Sequence, residues 1–159
     1  MNKLVIFDLD GVLIDSRELH YHALNDALRN LSEDYVITRE EHLSLYDGLS
    51  TKKKLEMLSL NKGLDPKHYD KIWKDKQDAT FELVGLFDPD YDLVEFFRIL
   101  HSRGIKIAVA SNSIRETVKL ALISIGVIRY VDYYVSNEDV KRSKDRKSTR
   151  LNSSHTDIS

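Results

Sequence analysis

The chain has 159 residues and a formal net charge of −2, from 24 Lys and Arg against 26 Asp and Glu, a length that suits one main domain. Hydrophobic residues make up 42% of the chain, which is enough to form a core. Positive and negative charges nearly balance, which excludes an overall electrostatic field that would attract nucleic acid or anionic membranes. The absence of cysteine excludes disulfides, thiolate nucleophiles and cysteine metal sites. The short apolar N-terminal run suits neither a signal peptide nor a membrane span, so we expect a cytoplasmic protein.

The first predicted element is a strand at residues 3–7. Its sequence KLVIF is apolar without alternation, which is typical of a parallel strand buried on both faces. Residues 16–85 are predicted to be helical throughout, because apolar residues recur there at three- and four-residue steps. The first of these helices begins at Ser16, and three more are predicted over 38–46, 51–60 and 66–84. Thr38 and Glu41 have the spacing of a capping box, and Asp65 is the predicted N-cap of the last helix.

The second half of the chain alternates between helix and strand. A helix around 93–100, a strand at 105–110, a helix at 114–125 and a strand at 131–135 follow in turn. This order indicates an α/β fold with a doubly wound parallel sheet. The sequence therefore predicts an α/β core over 1–15 and 86–144, with a helical insertion over 16–85.

The last segment, 145–159, differs in kind from the rest. By composition it is a disordered tail. Its first eleven residues, DRKSTRLNSSH, also correspond to the translation of a widely used DNA sequencing adapter in one frame. We therefore interpret 145–159 as a non-native or disordered tail and exclude it from the fold.

The strongest chemical signal is FDLDGV at residues 7–12, directly after the first strand. Open α/β sheets bind ligands at the carboxyl ends of their strands. Alternation along the chain places Asp8 and Asp10 on the same side, and Gly11 allows a sharp turn beside them. Two close carboxylates repel each other unless a hard cation such as Mg²⁺ lies between them, so the pair points to a cation site. For a DxD sequence taken alone, the alternative interpretation is a strand that ends in an ordinary polar turn.

Two weaker signals follow later strands. Ser111 and Asn112 lie in VASNS, where a strand ends and a helix begins, and they either bind phosphate oxygens or cap that helix. Lys144 follows the third predicted strand and, taken alone, is a solvated charge in a basic run.

Together, FDLDGV, then ASNS about a hundred residues later, then the lysine, resemble the haloacid dehalogenase superfamily. The helical block after the first motif is similar to the cap of the subgroup that contains β-phosphoglucomutase and phosphoglycolate phosphatase. The resemblance covers residues 1–144. It implies a Rossmann-like core with an inserted α-helical cap, and a Mg²⁺-dependent phosphatase that acts on a small phosphorylated metabolite.

The resemblance also implies a role for each motif residue. Asp8 would be the nucleophile that forms an aspartyl-phosphate, and Asp10 the general acid and then base. The carboxylate of Asp8 and the backbone carbonyl of Asp10 would hold Mg²⁺. Ser111 and the amide of Asn112 would bind the phosphoryl oxygens, and Lys144 would neutralise their charge.

Two departures from the family pattern point to a chain that is cut short. The family's fourth motif, an acidic pair after a further strand, is absent, and Asp157 has no strand before it. The proline that commonly follows the motif lysine is replaced by Asp145. We therefore expect a fragment whose parent is an enzyme, while the 159 residues themselves are weakly active or inactive.

The cap would supply substrate contacts, for which His20 and Thr51 are candidates. His20 is equally well explained as a half-buried helix residue. The run at 52–54, three lysines, is either a solvated face or offers one member to a substrate anion. In the phosphomutase the position of Thr51 carries an arginine for a second phosphate. Thr51 therefore favours a phosphatase over a sugar-phosphate mutase, which remains the alternative beside a non-catalytic binding module.

Overall fold

The computed structural model describes residues 3–140 and forms two compact units. One unit is made of residues up to 14 and from 88 onward and contains all the described strands. The other, Asp15–Phe87, is helical. We call them the α/β unit and the helical unit and describe each by itself. No helix in the described part of the chain is long and apolar enough to cross a membrane.

The α/β unit contains a parallel three-stranded sheet in the order β1-β2-β3. Its strands are β1 (Lys3–Asp8), β2 (Ile105–Ala110) and β3 (Tyr133–Val135), and its helices are α5 (Tyr91–Ser102) and α6 (Arg115–Ser124). The register pairs Lys3 with Ile105 and Asp8 with Ala110. The predicted α/β fold with a parallel sheet is thereby confirmed.

Apolar side chains of β2 and both helices form the core of this unit. Ile107 and Val109 of β2 are fully buried, as is Phe97 of α5. The ring of Phe7 in β1 stacks on that of Phe97, with 5.0 Å between ring centroids. One face of β1 is therefore fixed against α5.

The prediction that β1 is buried on both faces is wrong. Leu4 is 47% exposed and Ile6 58% exposed. Within residues 3–140, β1 is an edge strand that pairs only with β2. Its apolar sequence suits a strand inside a sheet, and the described elements leave one of its faces uncovered.

The helical unit contains α1 to α4 and, as predicted, no strand among its described residues. Its helices are α1 (Ser16–Arg29), α2 (Arg39–Glu41), α3 (Thr51–Lys62) and α4 (Tyr69–Gly85). Its core cluster consists of Leu24, Ala27, Leu28, Ile37, Tyr46, Leu55, Leu58, Leu64 and Ile72. This unit therefore has a hydrophobic core of its own.

Two helix predictions need correction in detail. The capping box of Thr38 and Glu41 is confirmed, but α2 is one turn long and continues as a π-helix at His42–Tyr46. Asp65 caps a 3₁₀ turn, Pro66–His68, and α4 begins only after it. Both differences lie at helix ends, where tertiary packing selects between hydrogen-bonding patterns of similar energy.

Candidate active site

The candidate site begins at Asp8, the last residue of β1, which pairs with Ala110 of β2. The next N–H, that of Leu9, still donates to the carbonyl of Ala110 at 3.2 Å. The chain then turns at Gly11, whose φ of 75° lies in the left-handed region that favours glycine. The N–H of Gly11 donates to the carbonyl of Ile14 at 2.8 Å and closes the turn.

A hydrogen bond joins this turn to the end of β2. The hydroxyl of Ser111 donates to Oδ2 of Asp10 at 3.0 Å, although the two residues lie 101 positions apart. Ser111 is only 5% exposed, and its N–H donates to the carbonyl of Val135 in β3 at 2.9 Å. The residues that follow β1 and β2 therefore meet the end of β3 at one edge of the sheet.

The alternative that Ser111 caps the following helix is wrong. The N-cap of α6 is Ile114, which makes no side-chain capping bond, and the N–H of Arg115 donates instead to Oε2 of Glu138 at 2.6 Å. The hydroxyl of Ser111 accepts from the N–H of Ser113 at 3.1 Å. Ser111 thus stabilises the loop before α6 and faces Asp10.

The segment after β3 is fixed to the start of α6 by charged groups. A guanidinium nitrogen of Arg115 lies 3.0 Å from Oδ2 of Asp139, and the guanidinium carbon lies 4.5 Å from the ring centroid of Tyr134. The N–H and hydroxyl of Ser136 donate to Asp139 at 2.8 Å and 2.7 Å. These bonds lower the pKa of Asp139, with the backbone N–H of Ser136 as the main cause and Arg115 as a further one.

The sequence profile of the haloacid dehalogenase-like hydrolases matches residues 5–152. The chain belongs to this family. The match confirms the resemblance to this superfamily and includes residues of both units. It also extends past Lys144, so it does not separate the segment 145–159 from the family.

Curated relatives of this haloacid dehalogenase-like chain include pyrophosphatases named PpaX. The one from Bacillus pumilus is 27% identical over 88% of this chain and 62% of its own length. The one from Bacillus mycoides is 28% identical over the same shares. The chain thus spans less than two thirds of the length of these relatives.

Solved structures of the family share the fold. CbbY from Rhodobacter sphaeroides, in complex with xylulose-(1,5)bisphosphate, gives a TM-score of 0.73 at 22% identity over 95% of this chain and 71% of its own. β-Phosphoglucomutase from Clostridium difficile gives 0.68 at 22% identity over 95% and 69%. A protein described as a predicted phosphoglycolate phosphatase from Haemophilus somnus gives 0.75 at 17% identity over 95% and 69%. These likenesses confirm the Rossmann-like fold.

The oxygen ligands available at this edge of the sheet are of the chemical type that binds Mg²⁺. The carboxylates of Asp8 and Asp10 are hard oxygen ligands, and Mg²⁺ in proteins is often held by one or two carboxylates together with water and substrate phosphate. Among residues 3–140 no group of three or more His, Cys, Asp or Glu is placed to hold a metal. The described residues therefore offer two carboxylates of the type that binds a divalent cation, and no larger cluster of such side chains.

Of the remaining predicted site residues, two lie in the helical unit, one lies beside Ser111 and one is outside the described residues. His20 is half-buried in α1 and Thr51 is the first residue of α3, so both belong to the helical unit. The hydroxyl of Thr51 accepts from Nζ of Lys76 at 3.1 Å. Asn112 follows Ser111 in the loop and is exposed, whereas Lys144 lies outside the described residues.

The sequence analysis missed the positions of two buried bases in the helical unit. Lys54 is 6% exposed and His42 is 4% exposed. The signal for Lys54 is its spacing, because it lies four residues before the core residue Leu58 and thus shares its helix face. His42 lies in the π-helix, a segment type that is frequent at functional sites.

Proposed function

We propose that the parent protein is a phosphomonoester hydrolase that acts on a small phosphorylated metabolite in the cytoplasm. The observation that carries this proposal is the 3.0 Å hydrogen bond between Ser111 and Asp10. It brings the two motifs together at the end of the strand that presents Asp8. Phosphoryl transfer depends on such positioning of charged groups.

In the first step, an Asp8 oxygen attacks phosphorus and the ester P–O bond breaks. Asp10 donates a proton to the leaving oxygen, which departs as an alcohol. The product is an aspartyl-phosphate on Asp8. When substrate binds, the hydroxyl of Ser111 turns its one proton from Asp10 to a phosphoryl oxygen, and the N–H of Asn112 donates to another.

In the second step, a water molecule attacks the aspartyl-phosphate and gives its proton to Asp10. The P–O bond to Asp8 breaks, and inorganic phosphate leaves. Lys144 offsets the negative charge of Asp8 and the phosphoryl group. When bound to Asp8 and the Asp10 carbonyl, Mg²⁺ supplies charge neutralisation for the phosphoryl oxygens.

Names of similar proteins support a substrate with two anionic groups. They include pyrophosphatases, a predicted phosphoglycolate phosphatase and a protein in complex with xylulose-(1,5)bisphosphate. Pyrophosphate and bisphosphates carry two phosphoryl groups, and phosphoglycolate carries a phosphate and a carboxylate. β-Phosphoglucomutase is among the similar structures as well, so the experiment below includes a mutase assay.

The test is phosphate release with Mg²⁺ by the chain extended to the full length of its curated relatives. Wild type is expected to release phosphate, and Asp8→Asn to reduce kcat by about 10³-fold or more, because the nucleophile is lost. Chelation of Mg²⁺ is expected to abolish release reversibly.

The matched control is Asp88→Asn, at an exposed carboxylate outside the site. It is expected to keep wild-type turnover. Undiminished phosphate release by Asp8→Asn would overturn the mechanism. Turnover of a sugar monophosphate that requires a bisphosphate primer and releases little phosphate would establish the mutase instead.

A further inference from the structure

The loop between β2 and α6, residues 111–114, carries both donors that the proposed function assigns to the phosphoryl oxygens. Ser111 is buried, and its N–H donates to the end of β3 at 2.9 Å. Its hydroxyl accepts from the N–H of Ser113 at 3.1 Å. Asn112 lies between these two residues, so the direction of its backbone N–H depends on where Ser111 and Ser113 are held.

The other side of this loop is held by the segment that follows β3. The N–H of Asn137 donates to the carbonyl of Ser113 at 3.1 Å. The N–H of Arg115, the first residue of α6, donates to Oε2 of Glu138 at 2.6 Å, and a carboxylate at the start of a helix is favourable. Ser113 is therefore fixed from two sides, by Ser111 and by Asn137, as long as the loop and the segment stay together.

The side chain of Arg115 joins the loop to that segment. Its Nη1 donates to Oδ1 and Oδ2 of Asp139 at 3.2 Å and 3.0 Å and lies 3.5 Å from the carbonyl oxygen of Tyr134. Its guanidinium also lies over the ring of Tyr134, in β3. One side chain at the start of α6 thus contacts both β3 and the residues after it, through charge-assisted bonds that are stronger than neutral ones.

Asp139 in turn shapes the segment that Arg115 reaches. Besides the two bonds that its carboxylate accepts from Ser136, its own N–H donates to the carbonyl of Ser136 at 3.3 Å. The hydroxyl of Ser136, a residue that is 1% exposed, accepts from the N–H of Glu138 at 3.2 Å. These bonds close a compact turn. Arg115 therefore holds the whole turn, including the N–H of Asn137, beside the loop.

The ion pair of Arg115 and Asp139 contributes more to geometry than to stability. Its side chains are 45% and 36% exposed, and ion pairs of this exposure usually contribute little to the free energy of unfolding. A small displacement of a group that orients substrate, in contrast, lowers the rate of a reaction strongly. The pair is therefore suited to fixing the position of the loop.

We propose that Arg115 is a positioning residue for the candidate active site, where it holds the donors of Ser111 and Asn112 in place for a phosphoryl group. It acts through its pair with Asp139 and not through contact with the substrate. The effect on catalysis rests on the proposed function, whereas the effect on the order of the loop does not.

The order of the loop is measured in the 159-residue chain by amide hydrogen exchange, followed by NMR. In Arg115→Met, the N–H groups of Ser113 and Asn137 are expected to exchange about tenfold faster than in wild type, because a charge-assisted bond is lost. The N–H of Ile107 in β2 donates to Asp132, outside this network, and is expected to exchange at the wild-type rate. Equally faster exchange at all three groups would indicate general destabilisation and would overturn the proposal.

Arg98→Met is the matched control. Arg98 lies in α5 of the same unit, is 52% exposed and pairs with the carboxylate of Glu95 at 2.7 Å. Its loss is expected to leave exchange at Ser113 and Asn137 unchanged. Arg115→Lys keeps a cation within reach of the partner carboxylate and is expected to restore exchange to within about threefold of wild type.

The effect on catalysis is measured in the chain extended to its relatives' length. Arg115→Met is expected to lower kcat for phosphate release about tenfold at a Tm close to that of Arg98→Met, and Arg115→Lys to recover most of this loss. Exchange at Ser113 and Asn137 equal to that in Arg98→Met would overturn the proposal, as would faster exchange with unchanged kcat. A wild type without phosphatase activity would refute the proposed function, and the exchange measurement would still decide whether Arg115 holds the loop.

Discussion

Asn25 shows how one polar side chain connects two segments of the helical unit. It lies in α1 and is 4% exposed. Its side-chain amide donates to the carbonyl of Ile37 at 2.8 Å, and its Oδ1 accepts from the N–H of Ile37 at 2.9 Å. Ile37 itself is a core residue. The pair of bonds thus satisfies the backbone of a buried segment that belongs to no helix or strand.

We expect Asn25→Ala to lower the free energy of unfolding by about 2–4 kcal/mol, because two bonds are lost and both backbone groups of Ile37 remain unsatisfied. Urea denaturation followed by circular dichroism measures this. Asn30→Ala, at an exposed position after the end of α1, is the control and should cost less than about 0.5 kcal/mol. Equal losses in the two variants would contradict the role of Asn25.

At this scale the sequence predicts which residues carry chemistry better than where polar residues are buried. Asp8 ends β1, and Asp10 and Ser111 follow β1 and β2, so their placement at one edge of the sheet could be predicted. Lys54 and Asn25 are polar residues whose burial depends on neighbours from other segments. Such neighbours are not encoded in the local pattern.

Asp132 connects two strands beyond their regular ladder. Its Oδ2 accepts from the N–H of Ile107 at 2.9 Å, and its own N–H donates to the carbonyl of Ile107 at 2.8 Å. Nζ of Lys106 donates to its Oδ1 at 3.0 Å. The backbone N–H of Ile107 is the main cause that lowers the pKa of Asp132, and Lys106 adds to it. The carboxylate thus fixes β3 beside β2 just before β3 begins.

Because this pKa is lowered on folding, Asp132 contributes stability above its unfolded pKa of about 3.9 and loses it as the pH falls through the lower folded value. Asp132→Asn is expected to reduce the free energy of unfolding by about 1–3 kcal/mol at pH 7. The difference from wild type should shrink below about pH 4. Denaturation across pH 2 to 7, on the order of one curve per pH unit, measures it.

The exposed Asp88→Asn serves as the control for Asp132 and should follow the wild-type curve at every pH. A stability difference for Asp132→Asn that stays constant from neutral to strongly acidic solution would contradict this account.

At the scale of elements, the sequence predicts helices and strands better than their ends. The strand Ile105–Ala110 and the absence of strands in the described helical unit agree with the patterns. The π-helix at His42–Tyr46 and the 3₁₀ turn at Pro66–His68 do not follow from periodicity. Helical periodicity reports which side faces the core, whereas the last turns depend on what packs against them.

The uncovered face of β1 is the main feature of the whole α/β unit. Leu4 and Ile6 are exposed on a strand that pairs, within residues 3–140, on one edge only. The family assignment and the fold could be predicted from two motifs and the order of elements. The exposure of β1 could not, because an apolar strand does not specify which elements cover it.

An exposed apolar edge strand promotes association between chains. We expect the 159-residue chain to self-associate as its concentration rises, and Ile6→Lys to shift that association to concentrations about tenfold higher or more. Sedimentation velocity measures this. Leu60→Lys, at an 85% exposed leucine of the helical unit, is the control and should associate like wild type. Equal behaviour of the two variants would show that β1 is not responsible.

The bond between Asp10 and Ser111 also bears on the order of folding. The two residues are 101 positions apart, and the whole helical unit lies between them. Closing so long a loop as a flexible chain is entropically unfavourable, whereas contacts inside the helical unit are closer in sequence. Early folding of that unit would replace most of the flexible loop by a compact body and so favour pairing of β1 with β2. The geometry of the candidate site would then form last, which makes the inserted unit an aid to folding of the α/β unit.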